Sequence, residues 1–245
     1  MLRGPRPYVK ICCIATPREA EIAVRAGASA LGLVSAMPSG PGVIQDERIA
    51  EIAARVPPPV ATFLLTSRTS AGRIVEQHER CRTSVLQLVD HVHPEELRAL
   101  RAALPGVKLV QVIHVLGAES IDEARSVAPL VDALLLDSGN PNLAVKELGG
   151  TGRVHDWATS RVIRDAVSIP VFLAGGLTAH NVAAAIERVQ PFGLDLCTHV
   201  RTDGALDERK LATFMAATFM AATSMATPFM AATDAIAGDG RGERI

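Results

Sequence analysis

An α/β fold, a single (β/α)8 TIM barrel with a low-complexity C-terminal extension, is what this 245-residue sequence predicts. Three observations predict it. Eight short apolar runs recur along the chain, most starting 22 to 29 residues after the one before. Stretches of helical composition lie between them, several opened by capping residues. The runs are near-continuously apolar, as in ATFLL and ALLL, which suits parallel strands covered on both faces. A doubly wound open sheet is the competing architecture for the same alternation.

The first run, Tyr8–Ile14, leads into a helix over Pro17–Ala28. Thr16 stands there as cap, Pro17 takes the first helical position and Glu19 follows early. Ala30–Ser35 is the second strand. Its helix, Asp46–Arg55, places Asp46 and Glu47 in the first turn, where negative charge suits the helix dipole. Pro59–Thr66 precedes a helix over Ser70–Cys81, and Ser84–Asp90 precedes Pro94–Ala103. Lys108–Val115 precedes Ser120–Val127, again with early acids at Asp122 and Glu123. The sixth strand, Ala133–Asp137, starts 38 residues before the seventh, Val171–Leu177. The excess is a Gly-containing loop from Ser138 to Trp157, ahead of a helix over Ser160–Ala166. In a barrel this loop lies on the catalytic face. A helix over Ala179–Val189 and a strand over Gly193–Thr198 complete the set.

Residues 1–213 are assigned to the barrel. Residues 214–245 are assigned to the end of the last helix, a repeat extension and a disordered tail. FMAAT occurs at Phe214–Thr218, Phe219–Thr223 and Phe229–Thr233. A period of five matches neither a 3.6-residue helix nor a heptad, so the repeated Phe residues are not expected to form one stripe. Expansion of a short repeat past the last barrel helix is the plain reading; an apolar cap or self-association segment is the sharper one. Gly238–Ile245 is expected to be disordered.

Composition excludes several classes. Lys plus Arg is 25 and Asp plus Glu is 26, a net charge of −1, so no basic excess exists to hold nucleic acid. No apolar run approaches the ~18 to 20 residues of a membrane span, and the N-terminus shows no secretory h-region. A cytoplasmic setting is expected. The four cysteines, Cys12, Cys13, Cys81 and Cys197, form no CxxC pair, so neither a disulfide scaffold nor a zinc site is expected. His91 and His93 lack an evident third metal ligand and read as a solvated loop. No metal and no cofactor is expected.

Barrel chemistry sits at the C-terminal ends of strands. The candidates there are Cys12 or Cys13, Ser35, Asp90, His114, Asp137, Gly175-Gly176 and Thr198-His199. A Gly pair opening a helix after the seventh strand can present backbone N–H groups to phosphate.

Several of these residues stand in ordered motifs. Lys10-Ile11-Cys12, Leu135-Leu136-Asp137-Ser138, Gly149-Gly150-Thr151-Gly152 with Asp156-Trp157, and Leu173-Ala174-Gly175-Gly176-Leu177 with Asn181-Val182 follow one another along the chain. Together they resemble the phosphoribosylanthranilate isomerase family from about Val9 to Phe214. Gln87-Leu88 resembles the start of its QLHG motif and Gly193-Leu194-Asp195 its GVD motif.

The resemblance implies an Amadori rearrangement in tryptophan biosynthesis, converting N-(5-phosphoribosyl)anthranilate to 1-(2-carboxyphenylamino)-1-deoxyribulose 5-phosphate. By motif match Cys12 is the base and Asp137 the acid. Cys13, its strand neighbour, is expected to face the other way, into packing. Gly175, Gly176 and Thr198 hold phosphate, with His199 or Arg201 supplying charge. Gly150, Gly152 and Arg153 belong to a loop that closes over the substrate. The implied partner is a small phosphosugar substrate, and the implied assembly a monomer or homodimer.

The sequence departs from the family in four places. The SPR-type motif after the second strand, whose Arg meets the anthranilate carboxylate, is replaced by Ser35-Ala36-Met37-Pro38-Ser39-Gly40-Pro41-Gly42-Val43, and Arg48 is the nearest arginine. The strand-eight phosphate loop reads Cys197-Thr198-His199-Val200-Arg201. Val89 takes the QLHG His position, and His155 replaces an aromatic before Asp156-Trp157. A divergent isomerase, a paralogue acting on another phosphosugar and a non-catalytic metabolite-binding barrel all fit that pattern.

Overall fold

A computed structural model describes residues 7–237, with side chains described through 223. Eight parallel strands close on one another: β1 (Tyr8–Ile11), β2 (Ala30–Val34), β3 (Ala61–Thr66), β4 (Val85–Leu88), β5 (Lys108–His114), β6 (Ala133–Asp137), β7 (Val171–Leu173) and β8 (Gly193–Leu196). Closure is made by β8 on β1, with Tyr8 opposite Gly193 and Ile11 opposite Leu196. The seam decides for the barrel against the open sheet. The helices are α1 (Pro17–Arg25), α2 (Asp46–Arg55), α3 (Ala71–Cys81), α4 (Pro94–Ala103), α5 (Glu119–Val127), α6 (Trp157–Ala166), α7 (Val182–Val189) and α8 (Glu208–Ala237). Among the described residues no helix is long and apolar enough to cross a membrane.

Strand alternation splits the core in two. On β3, Leu64 packs outward with helix residues such as Ile49, Ile74 and Leu97. Its neighbours Phe63 and Leu65 point into the lumen with Ala30, Val85 and Val110. The lumen is thus filled by side chains, and each fully buried Leu or Ile contributes about 1.5–3 kcal/mol. Phe63 meets Phe172 edge-on across the lumen, with ring centroids 6.1 Å apart.

Local signals set the helix starts. Thr16 Oγ1 accepts from the Glu19 backbone N–H at 3.1 Å, and Glu19 Oε2 accepts from the Ala15 N–H at 2.8 Å. The expected start of α1 is therefore a reciprocal cap. Helix α6 begins at Trp157, ahead of the expected Ser160, because Asp156 accepts from the N–H groups of Ala158 and Thr159.

The last helix, expected to end within residues 214–245, reaches into the repeat segment. Helix α8 runs without a break from Glu208 to Ala237. Leu211, Phe214, Thr218 and Ala222 are buried, at the three- and four-residue spacing of one helical face. The first two repeats thus supply a stripe, though the second repeat's Phe219 lies exposed. The disorder expected of Gly238–Ile245 lies outside the described residues. A small hairpin, β9 (Arg201–Thr202) with β10 (Ala205–Leu206), separates β8 from α8. Asp203-Gly204 forms its turn with φ of +49° and +79°, the Asp-Gly signature of a tight hairpin.

Candidate active site

The C-terminal strand ends and the loops beyond them enclose one pocket. Cys12 and Cys13 enter it after β1, Asp137 at the end of β6, and Gly175 and Gly176 after β7. Asp195 of β8 lines it too, with Cys197, Thr198 and His199 just beyond. The loop after β2 contributes Met37, Gly40 and Pro41. The long loop after β6 contributes Leu148 through Gly152.

That long loop is built, not loose. Ser138 Oγ and Thr151 Oγ1 share a hydrogen bond of 2.7 Å, and Asn140 bridges to Glu147. Its backbone passes so close to Asp137 that a methyl at Gly149 would stand 2.6 Å from Oδ2. It also packs on the loop after β7, where a methyl at Gly176 would meet Val154 N at 2.7 Å. Asn181 fastens the glycine pair from the other side: its Nδ2 donates to the Gly176 carbonyl at 2.9 Å. Thr198 Oγ1 reaches the Gly150 carbonyl at 3.5 Å. The expected residues Gly150, Gly152, Gly175, Gly176, Thr198 and His199 therefore share one rim with Cys12 and Asp137.

Two expected cations stand elsewhere. Arg201 does not line the pocket, which corrects its expected place beside phosphate. Its guanidinium pairs with Glu19 at 3.0 Å and donates to the carbonyls of Gly204, Cys12 and Cys13. It ties the loop after β8 to the end of β1. Arg153 likewise points away, to Glu147, and only its backbone presses on the glycine pair. Arg48, the nearest arginine to the altered motif, pairs with Glu51 on the α2 surface at 2.6 Å. Among the pocket-lining residues none is Lys or Arg.

Cys13 also differs from expectation. It lines the pocket beside Cys12 instead of packing away from it. Strand β1 ends at Ile11, so alternation no longer governs Cys13, and its φ of +62° turns the chain back. Hydrogen bonding with the Cys12 and Cys197 thiols, together with burial, pushes the Cys13 thiol up. Its partner Cys197 goes the other way: the bond from Cys13 and the nearby Arg201 outweigh burial and hold its thiol below the ordinary value.

Beneath the pocket Lys10 is fully buried, its Nζ 2.8 Å from Asp195 Oδ1. Burial alone would pull the ammonium down, but the Asp195 carboxylate outweighs it and Lys10 stays charged. His114 lies outside the pocket lining, with Nε2 3.0 Å from the Val89 carbonyl. His155 is held neutral by burial against the pull of Asp137 and Asp156. Among the described residues no group of three or more His, Cys, Asp or Glu could hold a metal ion. Sequence reasoning passed over Asp195 and Cys197 as pocket residues. A lone acid inside the apolar run GLDL, two residues before Cys197, was the available signal.

A family model described as N-(5'-phosphoribosyl)anthranilate isomerase matches residues 9–217. The chain belongs to the phosphoribosylanthranilate isomerase family. A family member from Methanocella arvoryzae is 35% identical over 195 residues, covering 80% of this chain and 89% of its own. Another, from Halorubrum lacusprofundi, is 36% identical over 210 residues, covering 85% and 94%. The solved N-(5'-phosphoribosyl)anthranilate isomerase from Pyrococcus furiosus superposes with a TM-score of 0.72 at 25% identity, covering 86% of this chain and 98% of that one. The Thermus thermophilus structure gives 0.73 at 25% identity, covering 86% and 97%. Both superpositions show that this chain shares their fold.

Proposed function

We propose that this chain is a cytoplasmic phosphoribosylanthranilate isomerase, with Cys12 as base and Asp137 as acid. The observation that carries the reading is that both side chains line one pocket from strands on different sides of the barrel, β1 and β6. In this reading the backbone N–H groups around Gly175, Gly176 and Thr198 seat the 5-phosphate, with His199 at its edge. Asp137 gives a proton to the furanose ring oxygen as the C1–O bond breaks, leaving an iminium. Cys12 then takes the C2 proton, giving an enaminol that tautomerises to the ketose. Proton transfer at two sites of one sugar needs two groups held apart, and the closed barrel supplies that separation.

The test is turnover of N-(5-phosphoribosyl)anthranilate by the purified chain. Asp137→Asn is expected to lower kcat by about 10² to 10⁴ without loss of fold. No turnover by the unaltered chain would overturn the reading.

A further inference from the structure

Six buried side-chain polar atoms lack a hydrogen-bond partner among the described residues, on Gln87, Gln111, His114, His155, Trp157 and Arg201. Gln87 alone of these lines the pocket. Its side chain is 3% exposed, and the orphaned atom is the carbonyl Oε1. A buried acceptor with no partner among the described residues calls for a donor from outside the chain. Its complement is a donor that arrives with a ligand.

The surroundings say which part of a ligand that is. Val34 of β2 lies opposite Leu65 of β3, and Leu65 opposite Gln87 of β4. Val34 and Leu65 line the pocket as well, joined by Met37 and Leu148. This wall is apolar apart from the Gln87 amide. It faces the glycine pair and Thr198 from the opposite half of the barrel, strands β2 to β4 against β7 and β8. With phosphate seated on the glycine side, the far end of the substrate falls against this wall. That end is a flat aryl group joined to the sugar through a nitrogen. The nitrogen bears one N–H in the glycosylamine and keeps it when ring opening makes the iminium cation.

Resting on the isomerase reading, we propose that Gln87 is a further catalytic residue: its Oε1 accepts from the arylamine N–H and holds it most strongly in the iminium. The site then selects N-aryl glycosylamine phosphates, because an oxygen-linked phosphosugar has no such donor and leaves Oε1 unpaired. A neutral acceptor stabilises the cation without placing a second carboxylate beside the aryl carboxylate.

Gln87→Leu and Gln87→Glu in the full chain test this. For Gln87→Leu, kcat is expected to fall about tenfold to a hundredfold, the range of a hydrogen bond to a charged group. Competitive inhibition by inorganic phosphate should stay within about twofold. Tm should stay close to that of the unaltered chain, because Gln87 faces the pocket and makes no bond to the described residues through Oε1. Gln87→Glu keeps an acceptor at the same place. It should retain more of kcat than Gln87→Leu and raise KM through repulsion of the aryl carboxylate. Turnover by Gln87→Leu within about twofold of normal overturns the role. So does an equal loss in both variants accompanied by a lower Tm, the signature of a structural residue. Phosphate binding without turnover by the unaltered chain overturns the isomerase reading itself, and the Gln87 role with it.

Discussion

Lys10 Nζ and Asp195 Oδ1 stand 2.8 Å apart inside the barrel, on facing positions of the seam between β1 and β8. The ammonium has no exposed surface and lies 5.4 Å from the centre of the Phe63 ring. Asp195 forms part of the pocket floor, so the pair joins barrel closure to the site above it.

Breaking one half of this pair strands a buried charge. Asp195→Asn is expected to cost about 3–5 kcal/mol in urea unfolding. Replacing both residues with apolar ones of similar volume, Lys10→Met with Asp195→Leu, should recover most of that loss. The sign of the pH dependence follows from a Lys held above its ordinary value. Its contribution is complete below about pH 10.4 and declines only above it, through the raised folded value. A double variant no more stable than Asp195→Asn would count against the pair as the cause.

Gly149 is the point where the long loop leans on Asp137. Its φ is +136°, and an added methyl would lie 2.6 Å from Asp137 Oδ2. Gly149→Ala must push aside either the loop or the carboxylate. Displacement near 1 Å in a catalytic group typically costs about 10² in rate. We expect a kcat loss of that order, together with a lowered Tm from the strain of an alanine at positive φ beside the buried Leu148. An unchanged kcat would show that the approach to Asp137 has no catalytic consequence.

Glu19 is one of several carboxyls held low in the fold, and it contributes to the acid limb of stability. Burial by itself would raise its carboxyl, yet the backbone N–H groups of Ala15 and Leu206 and the Arg201 guanidinium together hold it low. A depressed carboxyl contributes fully above its unfolded value, about pH 4.3, and the contribution is lost as pH falls through the lower folded value. Glu19→Gln should flatten the loss of unfolding stability as pH falls below about 4.3. At pH 7 it should cost roughly 1–2 kcal/mol, the scale of charge-assisted hydrogen bonds. An acid limb identical to that of the unaltered chain would assign the effect to another group.

How much of this was legible follows from which contacts are local. The strand period, the Thr16 cap and the strand-end positions of Cys12 and Asp137 depend on short-range pattern, and the sequence carries them openly. No local pattern places Arg201, because its partner, Glu19, is 182 residues away, and charge alone does not say which anion a guanidinium will meet. Strand alternation does not place Cys13, because β1 ends at Ile11. A period of five in the repeat segment matches no helical repeat. Leu211, Phe214, Thr218 and Ala222 nevertheless keep helical spacing. The orphaned Gln87 carbonyl is a relation among packed neighbours, and no linear pattern records it.

Cys12 and Cys13 are adjacent thiols in one pocket, and the proposed mechanism gives them different tasks. Cys13 is pushed up by its bonds to Cys12 and Cys197 and by burial, and its Sγ points at the Pro41 carbonyl 3.6 Å away. A thiol that keeps its proton donates hydrogen bonds and does not remove protons. Cys12→Ala is therefore expected to lower kcat by about 10² to 10⁴, the scale of a lost general base. Cys13→Ala should stay within about tenfold, its loss arising from the contacts with Cys12 and Pro41. Steady-state kinetics on the two variants decide it, with Tm measured on each to exclude unfolding. Equal losses would mean that the two thiols act as one unit, and a larger loss in Cys13→Ala would move the base from Cys12 to its neighbour.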